Sequence, residues 1–85
     1  MKIELKAASH GPVYAQVREQ IERLINAGTL SSGETIPAPA TLAQQLAVDR
    51  GEIQRAYFEL EQSGLLKKES GKDFLGHSKV VYRVV

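Results

Sequence analysis

Eighty-five residues carry 11 Lys+Arg against 10 Asp+Glu, a formal net charge of +1, and no cysteine. A chain of this length makes one small domain and buries only about 60–65% of its unfolded surface, so self-association is an expected source of stability. Without cysteine there are no disulfides or thiolate metal sites, and at near-neutral charge any anion-binding patch must come from local clustering.

The opening MKIELKAASHG lacks the apolar core, about 7–15 residues, of a signal peptide. No apolar run approaches the roughly 18 residues of a membrane span. The expectation is a soluble cytoplasmic protein with no membrane partner. Met1, Ile3, Leu5 and Ala7 alternate with Lys2, Glu4 and Lys6. This period of two predicts a half-buried N-terminal strand over 1–7, paired with another strand.

Ser9, His10, Gly11 and Pro12 interrupt that pattern, and Pro12 suits a first helical position. Val13, Tyr14, Val17, Ile21, Leu24 and Ile25 then recur at three and four, which predicts a helix near 12–27 with one apolar stripe. Gly28 lies just past its end, where a left-handed cap favours glycine. Residues 29–38, with Gly33 and Pro37, read as a loop. A short second helix near 39–47 turns Leu42, Ala43 and Leu46 inward.

Asp49 is a good N-cap for a third helix near 50–63, and Glu52 three residues later fits a capping box. Ile53, Ala56, Tyr57 and Leu60 form its buried face, and Gly64 ends it. At about 100° per residue, Gly51, Gln54, Arg55, Phe58 and Gln62 lie on the other side. The remainder predicts a β-hairpin, with Leu65–Glu69 running out and Lys79–Val85 back. Its return strand, VVYRVV, is rich in β-formers.

The predicted fold is therefore mainly α with a small β part. It is a single winged helix-turn-helix domain over 1–85, with an N-terminal strand at 1–7, a three-helix core at 12–64 and a hairpin wing at 65–85. Two short helices joined by a tight turn and followed by a lysine-bearing hairpin suit nucleic-acid binding.

At this point the chain resembles the DNA-binding domain of the GntR family. The resemblance spans Pro12 to about Gly71. It rests on Pro12-Val13-Tyr14 with Gln16 and Val17, then Leu24-Ile25, Gly28, Leu30, Gly33 and Ile36-Pro37. It continues through Leu42-Ala43, Leu46, Val48, Arg50, Ile53, Ala56, Leu60 and Gly64-Leu65-Leu66. Gln54-Arg55-Ala56-Tyr57 is similar to the YtrA branch.

The resemblance implies a third helix in the major groove, a wing on the adjacent backbone or minor groove, and a dimer on a pseudo-palindrome. Carried over by position, Arg50 matches the arginine that opens the recognition helix, Gln54 a base-reading position, and Gly71 the wing-tip glycine. Several positions depart from the family pattern. Ala38 and Ala40 stand where a serine N-cap and a DNA-contacting arginine are usual. Asp49, Gly51 and Glu52 replace hydroxyl and amide residues. The wing reads Gly71-Lys72-Asp73-Phe74-Leu75 in place of a compact glycine motif. Family members usually carry an effector or oligomerisation domain after the wing, and this chain is expected to work without one.

The candidate DNA-binding residues are Arg50, Gly51, Gln54, Arg55, Lys67, Lys68, Gly71 and Lys72. From Gly64 onward there are five Lys/Arg against Glu69 and Asp73, so the wing is locally basic. Each residue also has a structural reading. Arg50 and Arg55 are also plausible as solvated helix charges, the lysines as guards of a hairpin edge, and Glu52 as a cap. Tyr14 and Tyr57 are expected in the core. His10 and His77 have no ligand spacing around them, so no metal site is expected.

No catalytic motif is present, and neither enzyme activity, a cofactor nor a small-molecule effector is expected. Two function classes fit. One is a small transcriptional regulator binding double-stranded DNA as a homodimer. The alternative is a degenerate winged-helix module mediating protein–protein interaction with another regulator. Arg50, Arg55 and the wing lysines favour the first. Ala38, Ala40, Glu52 and the low net charge favour the second.

Overall fold

The computed structural model describes residues 1–85. A 3-10 turn at Ala8–His10 precedes α1 (Val13–Asn26), β1 (Thr35–Ile36), α2 (Pro39–Leu46), α3 (Arg50–Gln62), β2 (Leu66–Lys72) and β3 (Ser78–Val84). Three helices and a small antiparallel sheet give the winged helix-turn-helix expected from the apolar stripes. No helix is long and apolar enough to cross a membrane.

Helix ends follow local chemistry. Pro12 is extended and sits one residue before α1 rather than inside it. Past the other end, Gly28 takes φ 78°, and the Leu30 N–H reaches back to the Leu24 carbonyl. Pro39 opens α2, where its missing N–H costs nothing. The turn into α3 passes through Ala47 at φ 55°, the one non-glycine residue with positive φ. The Asp49 side chain then accepts the Gly51 N–H at 3.0 Å and caps α3.

The stripes meet in one core. Val17, Ile21, Ile53, Ala56 and Tyr57 are fully buried, with Leu42, Leu60, Leu66 and Val84 close behind. Tyr57 packs edge-on against Tyr82, with ring centroids 4.9 Å apart. Its hydroxyl donates to the Pro37 carbonyl at 2.7 Å, a bond from α3 to the start of the helix-turn-helix. Tyr14 is only half-buried, so of the two tyrosines expected in the core Tyr57 alone is fully inside.

Two features differ from the sequence reading. The sheet has order β1-β3-β2 and gains a third strand, with Thr35 opposite Arg83 and Ile36 opposite Tyr82. These residues lie in the segment expected to be loop. The predicted N-terminal strand over 1–7 is not a strand: it pairs with no other strand.

The N-terminal segment instead lies along α1, with Ile3 buried. Two side-chain amides supply the bonds a neighbouring strand would have given. Gln20 accepts from the Glu4 N–H at 2.9 Å and donates to the Glu4 carbonyl at 2.6 Å. Gln16 accepts from the Lys6 N–H at 2.7 Å and donates to the Lys6 carbonyl at 3.2 Å. Four helical residues rise about 6 Å and two extended residues about 6.6 Å, so the two spacings match.

Candidate nucleic-acid interface

Helix α3 buries Ile53, Ala56, Tyr57 and Leu60. Its two flanks have different neighbours. On one flank Arg50 and Gln54 border a concavity of about 280 Å³. Ala38, Pro39 and Ala40 at the start of α2 form another wall, and Lys68, Val80 and Tyr82 come from the sheet. The small side chains of Ala38 and Ala40 leave this hollow open. Val80 and Tyr82 are lining residues that the sequence reading did not single out. The pairing of Tyr82 with Lys68 and of Val80 with Ser70 carries them to this place.

The other flank of α3 faces α1. The Arg55 guanidinium carbon lies 3.7 Å from the centroid of the Tyr14 ring. Its Nε is 3.4 Å from Glu59, which also holds Arg18 at 3.0 Å. Glu52 is on this side as well, accepting the Tyr14 N–H at 2.9 Å. The expected capping box is therefore only half present. Asp49 caps α3 itself, while Glu52 satisfies a free N–H at the start of α1.

The wing lysines divide by the period of two. Leu66 points into the core, so Lys68 and Lys72 share its side of the sheet while Lys67 lies on the reverse. There Lys67 is 3.4 Å from Glu69, and Glu69 is 2.7 Å from Arg83. The Arg83 hydrogen bond, seconded by Lys67, holds the Glu69 carboxyl below its ordinary range. Arg83 also donates to the Gly33 carbonyl at 2.7 Å.

Arg50, Gln54 and Lys68 thus converge. Lys72 continues their side of the sheet outward, while Arg55 and Lys67 are engaged elsewhere. Gly71 is exposed near the end of β2. Gly51 is exposed in the first turn of α3, where an added Cβ would meet only Asp49 at an ordinary 3.6 Å.

A family model described as bacterial regulatory proteins, gntR family, matches residues 13–75. The chain belongs to the GntR family. Membership makes it a winged-helix domain of a regulatory family rather than an enzyme. Among solved structures, this GntR domain is similar to YtrA from Sulfolobus acidocaldarius, described as a GntR-family transcription factor. That likeness has a TM-score of 0.76 and 30% identity, over 98% of this chain and 77% of that one. It is also similar to the AraR DNA-binding domain in complex with operator ORX1, with a TM-score of 0.68 and 29% identity. The match covers 100% of this chain and 93% of that chain. In sequence it is 27% identical to the transcriptional repressor YtrA of Bacillus subtilis, over 82% of this chain and 54% of that protein. The chain spans about half the length, or less, of the curated relatives it matches.

Proposed function

We propose that this GntR domain binds double-stranded DNA sequence-specifically and regulates transcription, with α3 in the major groove. The observation that carries the reading is the convergence of Arg50, Gln54 and Lys68 on one open face. Arg50 and Gln54 are suited to base edges, because a guanidinium and an amide each make bidentate pairs there. Lys68 and Lys72 follow the phosphates. The exposed glycines Gly51 and Gly71 allow close approach of the backbone. Arg55 and Lys67, held by intramolecular partners, have smaller parts in binding. The likeness to a domain in complex with an operator supports the same reading.

A homodimer on a pseudo-palindromic site is the second part of the proposal. One helix-turn-helix covers one half-site, and a chain of net charge +1 makes few phosphate contacts alone. The N-terminal segment is already used within its own chain, and the free edge of β2 with the exposed Val85 is a surface available for pairing.

A salt titration of binding to duplex DNA tests the first part. Affinity should fall linearly with log salt at a slope near −0.9 for each phosphate neutralised. A salt-independent or absent interaction would count against it. Sedimentation at micromolar concentration tests the second. One species at the mass of a single chain without duplex, and no more than one chain per duplex with it, would exclude the dimer.

A further inference from the structure

The wing tip carries the two most exposed large apolar side chains of the chain. β2 and β3 stay paired as far as Lys72 opposite Ser78. Beyond Glu69 and Val81 both strands are exposed, so the last three residues of β2 reach about 10 Å past the buried part of the sheet. Phe74 is 95% exposed and Leu75 65%.

The turn that presents these side chains is ordered by its own bonds. Asp73 and Gly76 donate to the carbonyls of His77 and Asp73, each at 3.0 Å. The Asp73 carboxylate accepts the N–H groups of Leu75 and His77, both at 2.9 Å. The one acidic group of the tip is therefore turned onto its own loop. The stem carries Lys68 and Lys72 on one strand and Lys79 on the other.

A single exposed apolar side chain needs no explanation. Two adjacent large ones, presented by a hydrogen-bonded turn on a basic stem, match the chemistry of a wedge for stacked bases. Proteins that enter the minor groove insert such side chains between base steps and kink the duplex. The groove is about 6 Å wide, enough for a phenyl edge. The flanking lysines place positive charge where phosphates line it, which favours DNA over an uncharged protein surface.

We propose that Phe74 and Leu75 form an apolar wedge that enters the minor groove beside the half-site, unstacks a base step and bends the duplex. The proposal rests on the DNA-binding reading above and adds a way of reading deformability at positions that no polar side chain contacts.

The chain contains no tryptophan, so Phe74→Trp places a unique fluorophore at the tip. Its emission and acrylamide quenching would be followed on adding a short random-sequence duplex, with duplex anisotropy reporting binding. Energy transfer between labelled duplex ends would report bending. On binding, the indole emission should be quenched and shielded from acrylamide, and the duplex ends should approach. The double variant Phe74→Ser/Leu75→Ser should bind at least about fivefold more weakly, as for loss of a base-stacking contact, and leave the duplex straight. Phe74→Leu should retain the bend.

Binding by anisotropy with unchanged indole emission and quenching would overturn the wedge alone. So would a double variant that bends DNA as the parent does. No anisotropy change at low salt would overturn the DNA reading and the wedge together. An indole response to anionic phospholipid vesicles but not to duplex would assign the tip to lipid and overturn the wedge.

Discussion

The carboxylate of Glu52 accepts the main-chain N–H of Tyr14 at 2.9 Å, joining residues 38 positions apart. By sequence, Glu52 is an awkward negative charge in the first turn of a recognition helix. In the structure it belongs to the seam between α1 and α3. The exposed N–H groups at a helix start carry partial positive charge, so a carboxylate there stabilises α1. Its negative charge is directed towards α1 and not the open flank that carries Arg50 and Gln54.

Glu52→Ala should therefore act on stability first. Loss of a capping interaction of this kind costs about 0.5–2 kcal/mol. Urea denaturation should show that loss, while duplex affinity at fixed salt stays the same or rises slightly. A large loss of affinity in the folded variant would show that Glu52 faces the bases instead.

Arg50 and Arg55 should separate in the same way. Arg50→Ala should cost about 1–3 kcal/mol of discrimination at one base position. Arg55→Ala removes a cation–π contact, worth about 0.5–1 kcal/mol at an exposed site, and should change stability more than specificity. Competition binding with single-base operator variants, beside denaturation of both proteins, measures each quantity. Equal losses of specificity would mean that Arg55 leaves Tyr14 to meet DNA.

The wing offers a paired comparison. Lys68→Ala or Lys72→Ala should reduce the magnitude of the salt slope by about one. Lys67→Ala should leave the slope unchanged, because Lys67 pairs with Glu69 on the reverse of the sheet. Slopes from anisotropy titrations over several salt concentrations decide the matter.

How far the sequence alone revealed this arrangement depends on the reach of each signal. The helices were legible because Val17 and Ile21, Leu42 and Ala43, and Ile53 and Leu60 repeat a stripe over successive turns. β1 was not, since Thr35 and Ile36 are too few to show any period. At the N-terminus the alternation of Ile3 and Leu5 correctly implied an extended segment with one covered side. It said nothing of what covers it, and Gln16 and Gln20 read as ordinary polar helix residues. The geometry of the candidate site was half legible. Arg50, Gln54 and Lys68 were candidates by position and lie together in the structure, but the flank of α3 that receives α1 is a tertiary fact, so Arg55 could not be set apart from them.

Tyr57 gives a pH-dependent test. Burial, with a smaller contribution from Tyr82, raises its phenol far above the ordinary value of 10.0. A group whose folded pKa is raised contributes stability that is fully present below the unfolded pKa and is lost as pH rises towards the folded one. Stability should hold to about pH 10, the unfolded phenol's range, and then decline. Tyr57→Phe should cost about 1–2 kcal/mol at neutral pH, by leaving the Pro37 carbonyl without its donor. It should also flatten that alkaline decline. Thermal melts from pH 7 to 11 on both proteins supply the comparison, and an unchanged alkaline slope would assign the loss to other groups.

Ala47 is the last test, and it concerns the turn that sets α2 against α3. Its φ of 55° and ψ of 46° place a Cβ in the left-handed region. A β-carbon there costs roughly 1–2 kcal/mol relative to the right-handed form. Glycine would remove that penalty but make the unfolded chain more flexible, an opposing cost of about 0.4–1 kcal/mol. The balance favours Ala47→Gly by about 0.5–1 kcal/mol. The turn's hydrogen bonds do not depend on the side chain. The Ala47 and Val48 N–H groups reach the Gln44 and Ala43 carbonyls at 3.3 and 3.0 Å. The helix-to-helix angle, and with it duplex affinity, should therefore survive the substitution. Denaturation midpoints and duplex titrations of the two proteins measure both expectations. A destabilised Ala47→Gly would mean that the Ala47 methyl makes a favourable contact that outweighs its strained backbone.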